Sequence, residues 1–459
     1  MSSLITSPYW PFAVLIISII TVIFMISKLK IHAFIALMLS AMVAGLLSNH
    51  IPVMENAHFL IRAVEVPMIE FGATAGKIAW VIATASIIGT AMLESGAAER
   101  MVNGIISLLG EKRAPLALLI SGFILSIPIF FDTVFFLMIP LAIALYKKTG
   151  KDYLLYILAI SGGALVTHCL VPPTPGPLIM AETMKIDLGV AIMGGLALGI
   201  LPTIGVYFVA RRVNKNYVLP LRVANDTSNQ SVTMPGLIAS ILPVAVPLIL
   251  ISMNSIADIM MVNGTKPGWI AFIGNKNVAM TIGTAMACWV WARQKKYSGQ
   301  QLWEACAKPL EIAGIIILIT SAGGAFGAML GHSGIGAAIK ELTQHVSVNY
   351  ILLAWFIAAV MKIAQGSSTV AMITTSGILT ALMASGAPLP YHPMYIFASI
   401  AFGSLCVPWM NDSGFWVVAR MSGMTEREAL KNFSVTVASI AFMGLLEVLV
   451  LSRVLPFAG

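Results

Sequence analysis

Charge is scarce in this sequence. Only 10% of its 459 residues are Asp, Glu, Lys or Arg, where a soluble domain carries about 25%. That scarcity excludes an ordinary soluble enzyme or binding domain, because 58% of the residues are hydrophobic and must face something other than a core. Long polar stretches are also lacking: the longest, Arg211 to Thr233, has only the length of a linker. The four cysteines (Cys169, Cys288, Cys306 and Cys406) show no CxxC spacing, so neither a metal site nor a disulfide framework is indicated. No basic patch is interleaved with aromatics, so the net charge of +8 gives no pointer to nucleic acid. GxxxxGK[ST], HExxH and GxSxG are all missing, which leaves ATP-driven chemistry and membrane proteolysis without support and no cofactor implied.

What is present is a series of apolar runs. Ten are read as membrane spans of an all-α polytopic protein: Trp10–Ile26, Ile31–Leu47, Ile78–Leu93, Tyr153–Val171, Leu188–Val209, Gly236–Met253, Val278–Ala292, Ile312–Leu330, Tyr395–Val407 with its continuation, and Phe433–Leu451. Two further stretches, 115–146 and 349–383, are too long for one span, and each has an irregular middle. They are read as re-entrant hairpins that return to the face they left, with tips at Ile127–Thr133 and Gln365–Thr369. No positive charge precedes the first run, while Lys28 and Lys30 follow it, so it is expected to be a span that begins outside rather than a cleaved signal. With this layout 19 of the 27 basic residues fall on the cytoplasmic face and seven outside, with Lys362 at membrane depth. Both termini are then expected outside, in a bacterial inner membrane.

The chain also repeats itself. Ala91–Gly96 resembles Ala328–Gly334, Thr133-Val134 resembles Thr369-Val370, and Pro172 resembles Pro408, the last two pairs at the same offset of 236 residues. Residues 1–210 and 234–459 are therefore read as two repeats, each of three spans, a hairpin, a broken span and a final span, joined by a linker at 211–233. An odd number of crossings per repeat inverts one copy relative to the other, and paired interrupted helices of inverted repeats meet near the bilayer midplane. The amphipathic segments Ala97–Arg113 and Ile335–His345 are either interfacial helices or ordinary surface loops.

The breaks fall at 172–177 and 408–414. Pro172, Pro173, Pro175 and Gly176 cannot continue a helix, and a restarting half-helix offers amides and partial positive charge suited to a carboxylate. Thr174 and Gly176 lie in the first break; Asn411, Asp412 and Gly414 lie in the second. The tips add Asp132 and Thr133 on one side and Gly366, Ser367, Ser368 and Thr369 on the other. Hydroxyls and amides both donate and accept without a charge to desolvate, which suits a polyhydroxylated acid. Asp132 sits behind Phe130-Phe131, and an acid in an apolar setting is how a proton carrier is built. It is the candidate proton-coupling residue, the alternatives being a pair with Lys362 or a cap on its tip. Lys362 is a candidate counter-charge for an anionic ligand, or else snorkels. His168 either helps proton transfer and carboxylate binding or is a satisfied core histidine.

At these motifs the sequence resembles the gluconate permease (GntP) family of the ion transporter superfamily. The matching elements are Phe131-Asp132 with Leu137–Leu141, Thr167-His168 with Pro172–Pro177, Gly366–Ala371, and Asn411-Asp412-Ser413-Gly414-Phe415-Trp416. The resemblance implies proton symport of gluconate, related hydroxy acids or, in one branch, D-serine. It also implies a homodimer whose transport domain slides past a static scaffold as an elevator. Asp132 stands where the family usually has glutamate, Thr174 where it often has His, and Ser413 where it often has Pro. A sodium-coupled transporter of the same architecture is the alternative, with break carbonyls and Asn411/Asp412 as ligands; a membrane enzyme is more distant.

Overall fold

Proline and glycine punctuate a chain that is otherwise helix-forming throughout. The computed structural model describes residues 10–48, 51, 53–222, 234–260, 266–335, 338, 349–383 and 389–457, and these contain helices and turns but no strand. In order the helices are α1 (Trp10–Ser27), α2 (Ala33–Leu47), α3 (Phe59–Glu94), α4 (Ala97–Leu109), α5 (Ala114–Leu125), α6 (Phe131–Thr149), α7 (Tyr153–Leu170), α8 (Pro175–Thr183), α9 (Leu188–Asn216) and α10 (Leu237–Met260). They continue with α11 (Gly268–Ile273), α12 (Lys276–Lys295), α13 (Gly299–Ala305), α14 (Ala307–His332), α15 (Tyr350–Gln365), α16 (Ser368–Met383), α17 (Met394–Gly403), α18 (Ser413–Ser422), α19 (Glu426–Ala429) and α20 (Val435–Val454).

Six stretches among the described residues are long and apolar enough to cross a membrane: Phe59–Glu94, Tyr153–Thr183, Leu188–Asn216, Leu237–Asp258, Gly299–His332 and Glu426–Val454. Shorter apolar helices coincide with the expected spans near the N-terminus and with the two 16-residue helices α15 and α16. The span expected at Ile78–Leu93 is the second half of a 36-residue helix. Arg62, Glu65, Glu70 and Lys77 hide its first half from a hydropathy reading. Ala97–Arg113 is helix α4 followed by one 3-10 turn, with Ala97, Ala98, Met101 and Val102 buried, so it is not a loop. Ile335–His345, apart from Ile335 and Ala338, and residues 223–233 of the expected linker lie outside the described residues; residues 211–216 of that linker extend α9.

Both expected hairpins are helix–turn–helix pairs. α5 ends at Leu125, the chain turns through Ser126–Phe130, and α6 begins. α15 ends at Gln365 and is capped by Gly366, whose φ of +85° is a left-handed conformation that a side chain would strain. Each expected break is also present, between α7 and α8 and between α17 and α18.

Packing sets where these features meet. α3 and α14 run antiparallel, because Ser86 Oγ donates to the Pro309 carbonyl at 2.7 Å near one end and Thr74 abuts Gly324 further along. α7 is enclosed, with every residue buried except His168. α5 lies against it so closely that a Cβ on Gly163 would stand 2.1 Å from the Leu119 carbonyl oxygen. The α14–α16 crossing is likewise a glycine contact, Gly327 on Gly377. Small residues let membrane helices approach this closely.

Candidate functional site

Four irregular segments converge on one cavity of about 280 Å³. The first tip contributes Phe130, Phe131 and Asp132, and the second contributes Ser367, Ser368 and Thr369. From the breaks come Pro175 and Pro408 to Gly414, the latter through Pro408, Asp412, Ser413 and Gly414. His168 of α7, Lys362 of α15 and Thr320 of α14 complete the polar wall.

Lys362 is the electrostatic centre. It is only 3% exposed, and its Nζ donates to Asp412 Oδ2 at 2.5 Å and to the Gly366 carbonyl at 2.8 Å. A buried ammonium needs this partner, since an unpaired charge in an apolar interior is very costly. Asp412 is the N-cap of α18, and its Oδ1 accepts from the Gly414 amide at 2.8 Å. One carboxylate thus ties the second tip, the second break and the α15 ammonium together. Lysine has three donors, so one remains after these two bonds.

Asp132 stands apart from that pair. It lies in the first turn of α6 and faces the same cavity, but no hydrogen bond or ion pair joins its carboxylate to another described residue. The expected alternative of an Asp132–Lys362 ion pair is therefore replaced by Lys362–Asp412. His168 also faces the cavity; its Nδ1 is buried without a partner among the described residues, and its ring meets Phe130 edge-on at 6.2 Å.

Other expected site residues fall elsewhere. Thr133, next to Asp132, lines a different cavity, because successive positions on a helix point about 100° apart. The Thr174 hydroxyl is committed to the carbonyls of His168 (2.9 Å) and Val171 (2.7 Å), closing the first break upon itself. Gly176 is pressed against Met372, where a Cβ would lie 2.2 Å from the Met372 methyl carbon. Pro175 and Pro177 carry no N–H, so α8 begins with few free amides for an anion. Gly414 does reach the cavity, yet its amide is already bonded to Asp412. Asn411 Nδ2 donates to the Ile363 carbonyl at 2.9 Å while its Oδ1 is buried without a partner among the described residues. Gly366 is a hinge of the second tip whose carbonyl receives Lys362.

At the second tip, Ser367 Oγ accepts from the Val370 amide at 3.3 Å and Ser368 Oγ donates to the Ser404 carbonyl at 2.8 Å. The Ser367 hydroxyl proton and the Thr369 hydroxyl face the cavity without such a commitment. Sequence reading did not single out Phe130 or Thr320 as lining residues. Thr320 is the polar residue that follows the apolar run Ile315–Ile319 and is a readable signal. Gln365, the first residue of the expected second tip, is 8% exposed with both amide atoms unpartnered among the described residues.

A helical membrane protein whose interrupted helices and helix–turn tips enclose one polar, ion-paired cavity has the construction of a solute transporter. Comparison with known proteins agrees. The GntP family permease model matches residues 10–454, and the chain belongs to that family. It is 31% identical to an uncharacterized permease of Haemophilus influenzae, over 91% of this chain and 86% of the relative. It is 29% identical to a gluconate permease of Pseudomonas aeruginosa, covering 96% and 97% of the two chains. A high-affinity gluconate transporter of Escherichia coli is 28% identical over 97% of this chain and its own full length. The fold is that of MtrF of Neisseria gonorrhoeae, described as an antimetabolite efflux pump (TM-score 0.67, 16% identity, 93% of this chain and 96% of that one). The YdaH transporter of Alcanivorax borkumensis shares it too (TM-score 0.61, 15% identity, 93% and 98%). The protein is thus a multi-pass membrane permease and not an enzyme.

Proposed function

We propose that this permease carries a small hydroxylated monocarboxylate of the gluconate type into the cytoplasm together with a proton, and that Asp132 carries the proton. The observation that supports this most is the charge pattern of the cavity. Lys362 is paired with Asp412, whereas Asp132 faces the same space with no hydrogen bond or ion pair to another described residue. A second anion held about 6 Å from an ionised Asp132, at an effective dielectric constant of about 20, is repelled by about 3 kcal/mol. Protonation of Asp132 removes that repulsion, so the anion binds about a hundredfold better to the protonated site. Coupling follows from this mutual dependence, since a ligand shifts an equilibrium only by its differential affinity.

In this reading the remaining Lys362 donor and the N-terminus of the 16-residue α16 meet the carboxylate. They replace the amides near Gly176 and Gly414, which are packed away or already bonded. The hydroxyls of Ser367 and Thr369 meet the polyol, while Thr320, whose hydroxyl proton goes to the Ile316 carbonyl, offers only its oxygen as an acceptor. Both halves present a long helix, a helix–turn–helix pair, a helix with a break and a final long helix, and the antiparallel α3 and α14 are the corresponding long helices. This order supports two inverted repeats, at 1–210 and 234–459, working as an elevator in a homodimer with both termini outside.

The test is gluconate uptake into proteoliposomes with an imposed pH gradient, in sodium and in choline, for the wild type and Asp132→Asn. The variant is expected to exchange gluconate yet fail to concentrate it, with the pH dependence of uptake lost. Wild-type accumulation by Asp132→Asn would remove Asp132 from the coupling, and accumulation that stops in choline would replace the proton by sodium.

A further inference from the structure

The first tip has a cavity on each side. Beyond it lies a second space of about 250 Å³, bounded by α3, by the first turns of α14 and by the tip residues Pro128, Ile129, Phe130 and Thr133. Phe130 is the one described residue that lines both spaces. Its neighbours divide between them: Asp132 faces the central cavity and Thr133 the second one.

The two cavities also share walls. On α14, Lys308 and Ile312 line the second cavity, while Ile316, Ile319 and Thr320 line the central one. These positions recur at intervals of three and four, so they form a single stripe along one face of the helix. Ile312 and Thr320 are about 12 Å apart along it at 1.5 Å per residue. α3 presents a matching stripe through Ser86, Gly89, Thr90, Leu93 and Glu94. A Cβ on Gly89 would stand 3.3 Å from the Pro128 carbonyl oxygen, so the tip rests directly on that stripe. The two cavities therefore lie along one face of α14, separated by one aromatic side chain whose ring also meets His168 edge-on.

The chemistry of the second cavity suits the same kind of solute. Thr90 and Thr133 bring hydroxyls that no other described residue engages, and the exposed Lys308 sits at the outer end. Glu94, the last residue of α3, lines the same cavity. An ammonium draws a carboxylate in, and a neighbouring carboxylate keeps the stay brief.

We propose that this second cavity is a cytoplasmic vestibule in which the polyhydroxylated anion pauses, and that Phe130 is the partition it passes to move between vestibule and central cavity. The proposal rests on the transport reading of the central cavity. The cytoplasmic side follows from the basic residues that cluster on the segments flanking this end, among them Arg100, Lys112 and Arg113 after α3 and Arg293, Lys295 and Lys296 before α14.

The test measures thiol modification by a charged, membrane-impermeant reagent, in a background of Cys169→Ala, Cys288→Ala, Cys306→Ala and Cys406→Ala. Ile312→Cys reports the vestibule and Thr320→Cys the central cavity. In inside-out vesicles Ile312→Cys is expected to react fast whatever occupies position 130. Thr320→Cys is expected to react slowly, at least tenfold faster with Phe130→Ala, and more slowly still with Phe130→Trp. Equal rates for Thr320→Cys with and without Phe130→Ala would overturn the partition. Reaction of Ile312→Cys only in right-side-out vesicles would overturn the cytoplasmic assignment. These rates do not depend on which solute is carried, so a failure of gluconate uptake with the labelling pattern intact refutes the substrate reading alone. In the protein with its native cysteines, Lys308→Gln is expected to raise the half-saturating gluconate concentration severalfold for efflux and leave that for uptake unchanged; no change in either direction would overturn the vestibule's role.

Discussion

Replacing Lys362 by methionine removes one member of a buried ion pair and leaves the other behind. Asp412 is 9% exposed and Lys362 3%, so water screens neither well. With Lys362→Met, Asp412 keeps only the Gly414 amide at 2.8 Å as a partner for a full negative charge. Orphaning a charge in this way costs about 3–5 kcal/mol. Asp412→Asn is milder, because an asparagine oxygen still caps α18 and Lys362 retains the Gly366 carbonyl at 2.8 Å; about 2–3 kcal/mol is expected. The double variant carries no orphan charge and loses only hydrogen bonds, about 1–2 kcal/mol. The coupling energy is then at least about 3 kcal/mol, far beyond the scatter of about 0.5 kcal/mol for independent sites. Equilibrium unfolding of the four proteins in mixed micelles measures it. Additive single variants would mean that the pair is not formed in the membrane protein and would refute the charge accounting behind the proposed coupling. Even if the double variant is well folded, its gluconate uptake is expected to be lost, because the ammonium donor to the substrate is gone.

Two further predictions separate positions that look alike in sequence. Thr174→Val removes a hydroxyl spent on two backbone carbonyls, so it is expected to cost about 1–2 kcal/mol of stability with an unchanged gluconate KM. Thr369→Val is expected to do the reverse, with stability within about 0.5 kcal/mol of wild type and KM raised about tenfold. Unfolding and uptake measured on the same preparations decide between them. Gly163→Ala places a methyl 2.1 Å from the Leu119 carbonyl oxygen and is expected to cost about 1–3 kcal/mol or more, whereas Gly314→Ala meets nothing within 4 Å and should be neutral or slightly stabilising. Equal thermal stabilities for the two glycine variants would contradict the close α5–α7 packing.

The pairing of Lys362 with Asp412 shapes the economy of the site. A cation held permanently by a protein carboxylate attracts a solute anion less strongly than a free one. Under the proposed coupling, the solute then depends on the protonation state of Asp132 rather than being held regardless of it. Tight binding independent of the proton would lower the energy of the loaded site in every state and couple nothing. In the proposed vestibule, the passage at Phe130 matters for a different reason: release into the cytoplasm requires a weaker station next to the strong one.

What the sequence determined by itself is local. Proline lacks an N–H and cannot continue a helix, so Pro172–Gly176 and Pro408–Gly414 announce the breaks. Gly366 announces the second tip because only glycine enters the left-handed region without strain, and Phe130-Phe131-Asp132 marks the first by setting an acid among aromatics. These are short-range effects of neighbouring residues on one another. Tertiary structure decided the partners. Lys362 meets Asp412 across 50 residues, and Ser86 meets the Pro309 carbonyl across 223. No periodicity encodes such distances, which follow from how closely glycine-bearing helices can pack. The same packing turned Asp132 toward one cavity and Thr133 toward another, and it committed the hydroxyl of Thr174 and the amide of Gly414 to the protein itself. Composition can supply polar groups to a membrane interior, but only the assembled helices determine which of them remain free for a solute.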